Sequence, residues 1–151
     1  MKRDHRMYGL GLVLFFAAII YGCVVGTTTA PPPAQQLMAE DLRVTELGMF
    51  PDLVVEGQRV RLFLTLFNRS PYSGRARIMI RDKDQVVAEV YDITIHPRGN
   101  AVRFPFTDYR FSRHDHCFTV LVDIAGTYRE VDVARRFCAQ RTSSGWTLRE
   151  N

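Results

Sequence analysis

The chain is poor in everything that marks an enzyme or a helical protein. It has no Gly-x-Ser-x-Gly elbow, no phosphate-binding glycine loop and no zinc-protease motif, so the common nucleophile, nucleotide and zinc-hydrolase signatures are missing. Beyond the first 25 or so residues no stretch spaces its apolar residues as an amphipathic helix would, and no internal repeat is present. Charge of one sign is scarce. The formal net charge is +4, and Lys2, Arg3 and Arg6 against Asp4 place half of it at the amino terminus. The remainder is thinly spread, which excludes a nucleic-acid footprint. Cysteine is scarce too, with three in 151 residues. No cofactor is expected, and no catalytic residue stands out.

What is present begins with a leader. Residues 1–6 are basic, and Met7 to Ile20 is apolar apart from small Gly and Tyr residues, the makeup of a secretory signal. Val24 to Gln36 (VVGTTTAPPPAQQ) follows, with three consecutive prolines that favour an extended spacer. From Asp41 the pattern changes to period two, the mark of half-buried strands. Val60, Leu62, Leu64 and Leu66 point one way, and Arg59, Arg61 and Thr65 point the other. Phe63 and Phe67 share the arginine side. Ala76, Ile78 and Ile80 alternate with Arg75, Arg77 and Arg81. The strand from Val86 to Ile95 is expected to bend near Asp92. Val102, Phe104 and Phe106 read as inward residues of a further strand. Its Pro105 has no amide proton and places it at an edge or a bulge. Gly48 to Gly57 reads as a connection.

The last two runs, Cys117–Ile124 and Val131–Cys138, read as a hairpin around Gly126. One register sets Phe118 against Phe137, Val122 against Val133 and Ile124 against Val131, all on one face. The same register sets Cys117 opposite Cys138 on the outer face, inside the reach of a disulfide. Val120 then meets Arg135, so a slip or bulge stays open there. Once Cys23 is assigned to the leader boundary, these two cysteines pair with no spare thiol; two free buried thiols are the alternative. Residues 141–151 (RTSSGWTLREN) are expected to form an irregular tail, with Trp146 docked or exposed. The organisation read this way is 1–22 leader, 23–40 tether, 41–140 body and 141–151 tail. Seven short strands with Gly/Pro turns point to a two-layer antiparallel β-sandwich, preceded by a signal or anchor helix.

Three resemblances sharpen this, one in the leader and two in the body. Ile20-Tyr21-Gly22-Cys23 resembles a bacterial lipobox, which implies cleavage before Cys23, lipidation of its thiol and attachment of the chain to an envelope membrane. Two or three acyl chains anchor stably where one binds marginally. An uncleaved membrane-spanning leader and a plain cleaved one are the alternatives. Val24 after the cysteine implies the outer membrane if the source has one. Asp41-Leu42-Arg43-Val44, then Val55-Glu56-Gly57-Gln58-Arg59-Val60, then Leu64 to Ser70 (LTLFNRS), and late Val120-Leu121-Val122-Asp123 resemble the bacterial cell-adhesion-related domain CARDB. A weaker likeness, around Val90-Tyr91-Asp92, is to a lipoprotein family with an FxLYD pattern. Both imply an immunoglobulin-like fold of about seven strands without catalysis. The calcium role of CARDB is not implied, because the acidic ending gives way to Val131–Cys138.

The expected function is a membrane-tethered binding or adhesion module, with an accessory subunit of a secretion or assembly complex as the alternative. The partner would be an envelope protein or a glycan. Its contact surface is expected at Phe63 and Phe67 with Arg59, Arg61, Arg75 and Arg77. His114-Asp115-His116-Cys117 is the single cluster with metal-ligand chemistry, but an oxidised Cys117 cannot be a ligand and a zinc site normally takes four. It reads as a polar loop entering a strand, and no metal is expected.

Overall fold

A computed structural model describes residues 36–112 and 115–150. The leader, Cys23 and the proline tether lie outside the described residues. The rest is almost entirely strand: β1 (Leu42–Phe50), β2 (Leu53–Val54), β3 (Val60–Asn68), β4 (Gly74–Asp82), β5 (Gln85–Ile95), β6 (Arg98–Thr107), β7 (Asp115–Asp123), β8 (Tyr128–Glu130), β9 (Phe137–Thr142) and β10 (Gly145–Glu150). A three-stranded sheet runs β1–β3–β6. A seven-stranded sheet runs β2–β10–β9–β7–β4–β5, with β8 beside β7. Every pairing is antiparallel. The two sheets make an all-β, sandwich-like body.

The alternation read in β3 and β4 sets the core. Val60, Leu62, Leu64 and Leu66 are buried from one sheet and Ala76, Ile78 and Ile80 from the other. Burying alternate residues of two sheets against each other is the main driving force of such a fold. The bend in β5 also forms: Asp92 has φ 55°, and the β4–β5 register shifts between Ala76 and Ile78. Packing reaches back to Leu37, which is buried beside Gly74. Asn68 fastens the crossover between the sheets. Its side chain donates to the Tyr72 and His96 carbonyls at 2.9 and 3.2 Å and accepts from the Ser70 amide at 2.8 Å. That interior asparagine meets every demand of its amide locally, as buried polar groups must.

The fold departs from the expected strand plan at four places. The first is the connection Gly48–Gly57, of which Gly48 to Phe50 extend β1 and Leu53–Val54 form β2. The second is Phe106, which faces solvent. Arg61 pairs with Phe106 while Phe63 pairs with Arg103, so β6 carries one extra residue beside Pro105, and the bulge turns Phe106 outward. The third is the hairpin register. Cys117–Cys138 and Phe118–Phe137 pair as expected, but Val122 pairs with Arg129 and Leu121 with Glu130. Val133 is exposed and does not meet Val122.

The slip falls where Val120 would have met Arg135, and the displaced segment has other partners. Asp132 accepts the Val44 amide at 3.2 Å, and Arg135 donates to the Val44 carbonyl. Arg135 also holds Glu150 at 2.5 and 2.6 Å. Residues 131–136 therefore leave the hairpin to satisfy the edge of β1, which would otherwise present open backbone groups.

The fourth departure is the tail. Residues 141–150 continue β9 and supply β10, a tight hairpin closed at Thr142–Gly145. Trp146 is buried. Gly145 has φ +143°, and a Cβ there would lie 2.3 Å from the Val54 carbonyl oxygen. A glycine is what lets β10 lie against β2.

Candidate functional site

The outer face of the β1–β3–β6 sheet is the part of the body that looks built for contact. Phe50 is 60% exposed, Phe106 43% and Phe67 40%, and Phe63 lies half-buried among them. Strand alternation turns Phe50, Phe63 and Phe67 outward from faces whose opposite side is committed to the core, and the bulge beside Pro105 does the same for Phe106. Arg61 lays its guanidinium over the Phe106 ring at 4.1 Å, and Arg103 stands directly across from Phe63. A concavity of about 490 Å³ opens between Phe50, Arg61, Phe63 and Arg103, with Glu46 and Thr65 on its rim. Such a volume suits a side chain or a small ligand. The Nε of Arg61 is buried without a hydrogen-bond partner, and such a donor is stabilised by an acceptor.

Phe63 owes its position to Gly48, its cross-strand neighbour. A Cβ on Gly48 would fall 1.9 Å from the Phe63 ring. Gly48→Ala is expected to lift the ring and cost about 1 kcal/mol. In a Phe63→Ala background the same change should cost close to nothing. Urea titration of the four proteins in this cycle checks the coupling, and equal costs in both backgrounds would contradict it.

Arg61, Phe63 and Phe67 alternate along one face of β3, but Arg75 and Arg77 do not join them. β3 and β4 belong to different sheets, because the chain crosses the sandwich between Asn68 and Gly74. The expected contact surface therefore does not form as one patch, because Arg75 and Arg77 lie on the other sheet. Arg59 ion-pairs with Asp108, Nε to Oδ1 at 3.0 Å, and holds that carboxyl below its usual range. Arg75 pairs with Asp92, and Arg77 stacks on Tyr91 at 5.0 Å. Sequence reasoning missed Phe50 and Phe106 as members of the face. Pro105 was the signal for the second, since a bulge reverses every side chain after it.

On the other sheet the Glu89 carboxylate accepts from Tyr128 and from Tyr91, the latter at 2.5 Å. The two hydroxyls, Tyr128 first, hold its pKa below the usual value. Tyr128 is pushed up to about 12, by desolvation first and by the bond to Glu89 second. An unfolded tyrosine ionises near 10. The stabilisation from Tyr128 should therefore be complete below pH 10 and drain away as pH rises from 10 to 12. Stability curves of the wild type and Tyr128→Phe should converge over that window, and curves that stay parallel would refute the assignment.

Two members of the His/Asp/Cys cluster, His116 and Cys117, have structural partners. His116 is buried beside Asp82, Nδ1 to Oδ2 at 2.8 Å, and its Nε2 accepts the Ser112 amide at 3.1 Å. The hydroxyl of Tyr109 meets both His116 and Asp82, and Phe111 and Trp146 pack around the imidazole. Because Nε2 accepts, Nδ1 carries the ring proton. No group of three metal-binding side chains occurs among the described residues; His114 lies outside them. Cys117 and Cys138 are joined in a disulfide, with Cα atoms 4.0 Å apart.

No protein-family model matches the chain, and no curated protein matches it.

Proposed function

We propose that this chain is a non-catalytic binding module of a bacterial envelope, anchored through a lipid on Cys23, with an immunoglobulin-like body of the CARDB kind. The lipobox-like Ile20–Cys23, the proline spacer and the order of the strand motifs support the anchor and the family likeness. One observation carries the binding role: a sheet face with three exposed phenylalanines beside Arg61 and Arg103. Exposed aromatics beside arginine are the composition of protein interfaces. The partner is an envelope protein that presents acidic groups to those two arginines.

Two measurements test the reading. Cys23→Ser should abolish labelling by radioactive palmitate and leave the leader uncleaved; continued labelling would remove the anchor. The double variant Phe50→Ser/Phe106→Ser should keep the wild-type circular dichroism and lose a protein that co-purifies with the wild type from solubilised envelopes. Retention of that protein, or recovery of glycan alone, would remove the proposed surface.

A further inference from the structure

The four outer edges of the two sheets are not equivalent. The β1 edge is held at Val44 by Asp132 and Arg135. β2 is two residues long. β5 is broken by two register shifts and by the left-handed Asp92. Among the described residues β6 pairs with β3 alone, and beyond the left-handed Arg98 that pairing runs without interruption from Gly99 to Arg103. Its bulge and Pro105 lie beyond this run, so they leave it open. Straight edges of this kind are templates for another strand.

The space around that edge is shaped for one. β5 and β6 diverge between two fastenings: Asn100 with His96 at 2.8 Å, and the Thr107 hydroxyl on the Val87 carbonyl at 2.5 Å. Beside the first of these lies an opening of about 380 Å³, bordered by Val90, Ile93 and Val102 together with Thr94, His96 and Asn100. The concavity on the outer face shares Ala101, Val102 and Arg103 with this opening. Strand β6 therefore has on one side of its edge a recess of mixed polarity that includes Val90 and Ile93, and arginines on the other. Neither Arg61 nor Arg103 has an ion-pair partner among the described residues; the nearby Glu46 takes the Thr65 hydroxyl at 3.3 Å.

We infer that β6 is a docking edge for an extended segment of a partner protein, which pairs with Gly99–Arg103 and alternates acidic with aliphatic residues. Successive side chains of an added strand point to opposite faces. The aliphatic ones enter the recess beside Val90 and Ile93. The acidic ones lie over Arg103 and Arg61. The chain's own tether, Val24 to Gln36, has no acidic residue and does not match such a segment. The inference rests on the binding-module reading but not on the lipid anchor.

The test uses the full chain in detergent and two end-blocked fluorescent octapeptides, one alternating Glu and Val, the other Lys and Val. The Glu peptide should bind and slow amide exchange at Gly99–Arg103, and the Lys peptide should not. Arg103→Glu should weaken the Glu peptide roughly tenfold and admit the Lys peptide. Four results would overturn the inference: no binding up to about millimolar peptide, equal binding of both peptides, binding without protection of Gly99–Arg103, or protection that appears on self-association of the protein alone. If the peptides fail but the double phenylalanine variant still loses its envelope partner, the edge is wrong and the binding module stands. If both fail, both readings fall.

Discussion

Trp146→Ala is expected to destabilise the body by about 3–5 kcal/mol. The indole is 2% exposed and packs on Phe111 at 5.7 Å and near His116 at 6.5 Å between ring centres. It anchors the last strand, which in turn is the strand that β2 pairs with among the described residues. Removing the ring leaves a void beside the buried pair of Asp82 and His116, and water entering there would compete for their bonds. Urea unfolding should show the midpoint falling with little change in slope. A loss under about 1 kcal/mol would mean that the carboxy-terminal hairpin is peripheral. Leu148→Ala, on the same strand but half-buried, should cost visibly less.

Loss of the Cys117–Cys138 bridge is the second large effect, expected at about 3 kcal/mol for a closed loop of this length. The cysteines are 21 residues apart in sequence, and the β7–β9 ladder they join has only four residue pairs. The bridge fixes one end of the segment that leaves the hairpin for β1. The double variant Cys117→Ala/Cys138→Ala should unfold at lower urea. It should also exchange the Val44 amide faster, because Asp132 loses its fixed position. Unchanged exchange at Val44, or a loss below about 1 kcal/mol, would show the bridge and the excursion to be independent.

The sandwich was legible because its strands alternate cleanly. The four leucine and valine positions of β3 could face only one way. Registers were legible where a covalent or aromatic pair dictated them, as at Cys117–Cys138 and Phe118–Phe137. They were illegible where a distant strand competed. Nothing local in Val131–Arg136 announces that Val44, almost ninety residues earlier, will take its hydrogen bonds. The outward turn of Phe106 follows from Pro105, yet Val102 and Phe104 extend the apparent pattern through it. The final strand was hidden by polar residues, although Ser-Gly followed by Trp-Thr-Leu has the turn and β-forming residues of a hairpin return. Phe63 and Phe67 were found from sequence because they break a polar face. The separation of Arg59 and Arg61 from Arg75 and Arg77 was not, because sheet membership depends on where a loop crosses.

The segment that reaches across to Val44 has a consequence for growth of the molecule into larger aggregates. A β-layer that is open on both flanks can recruit copy after copy, each new arrival offering a fresh docking line. Here one flank is plugged by the protein's own chain. Growth of that layer is thereby confined to the opposite flank.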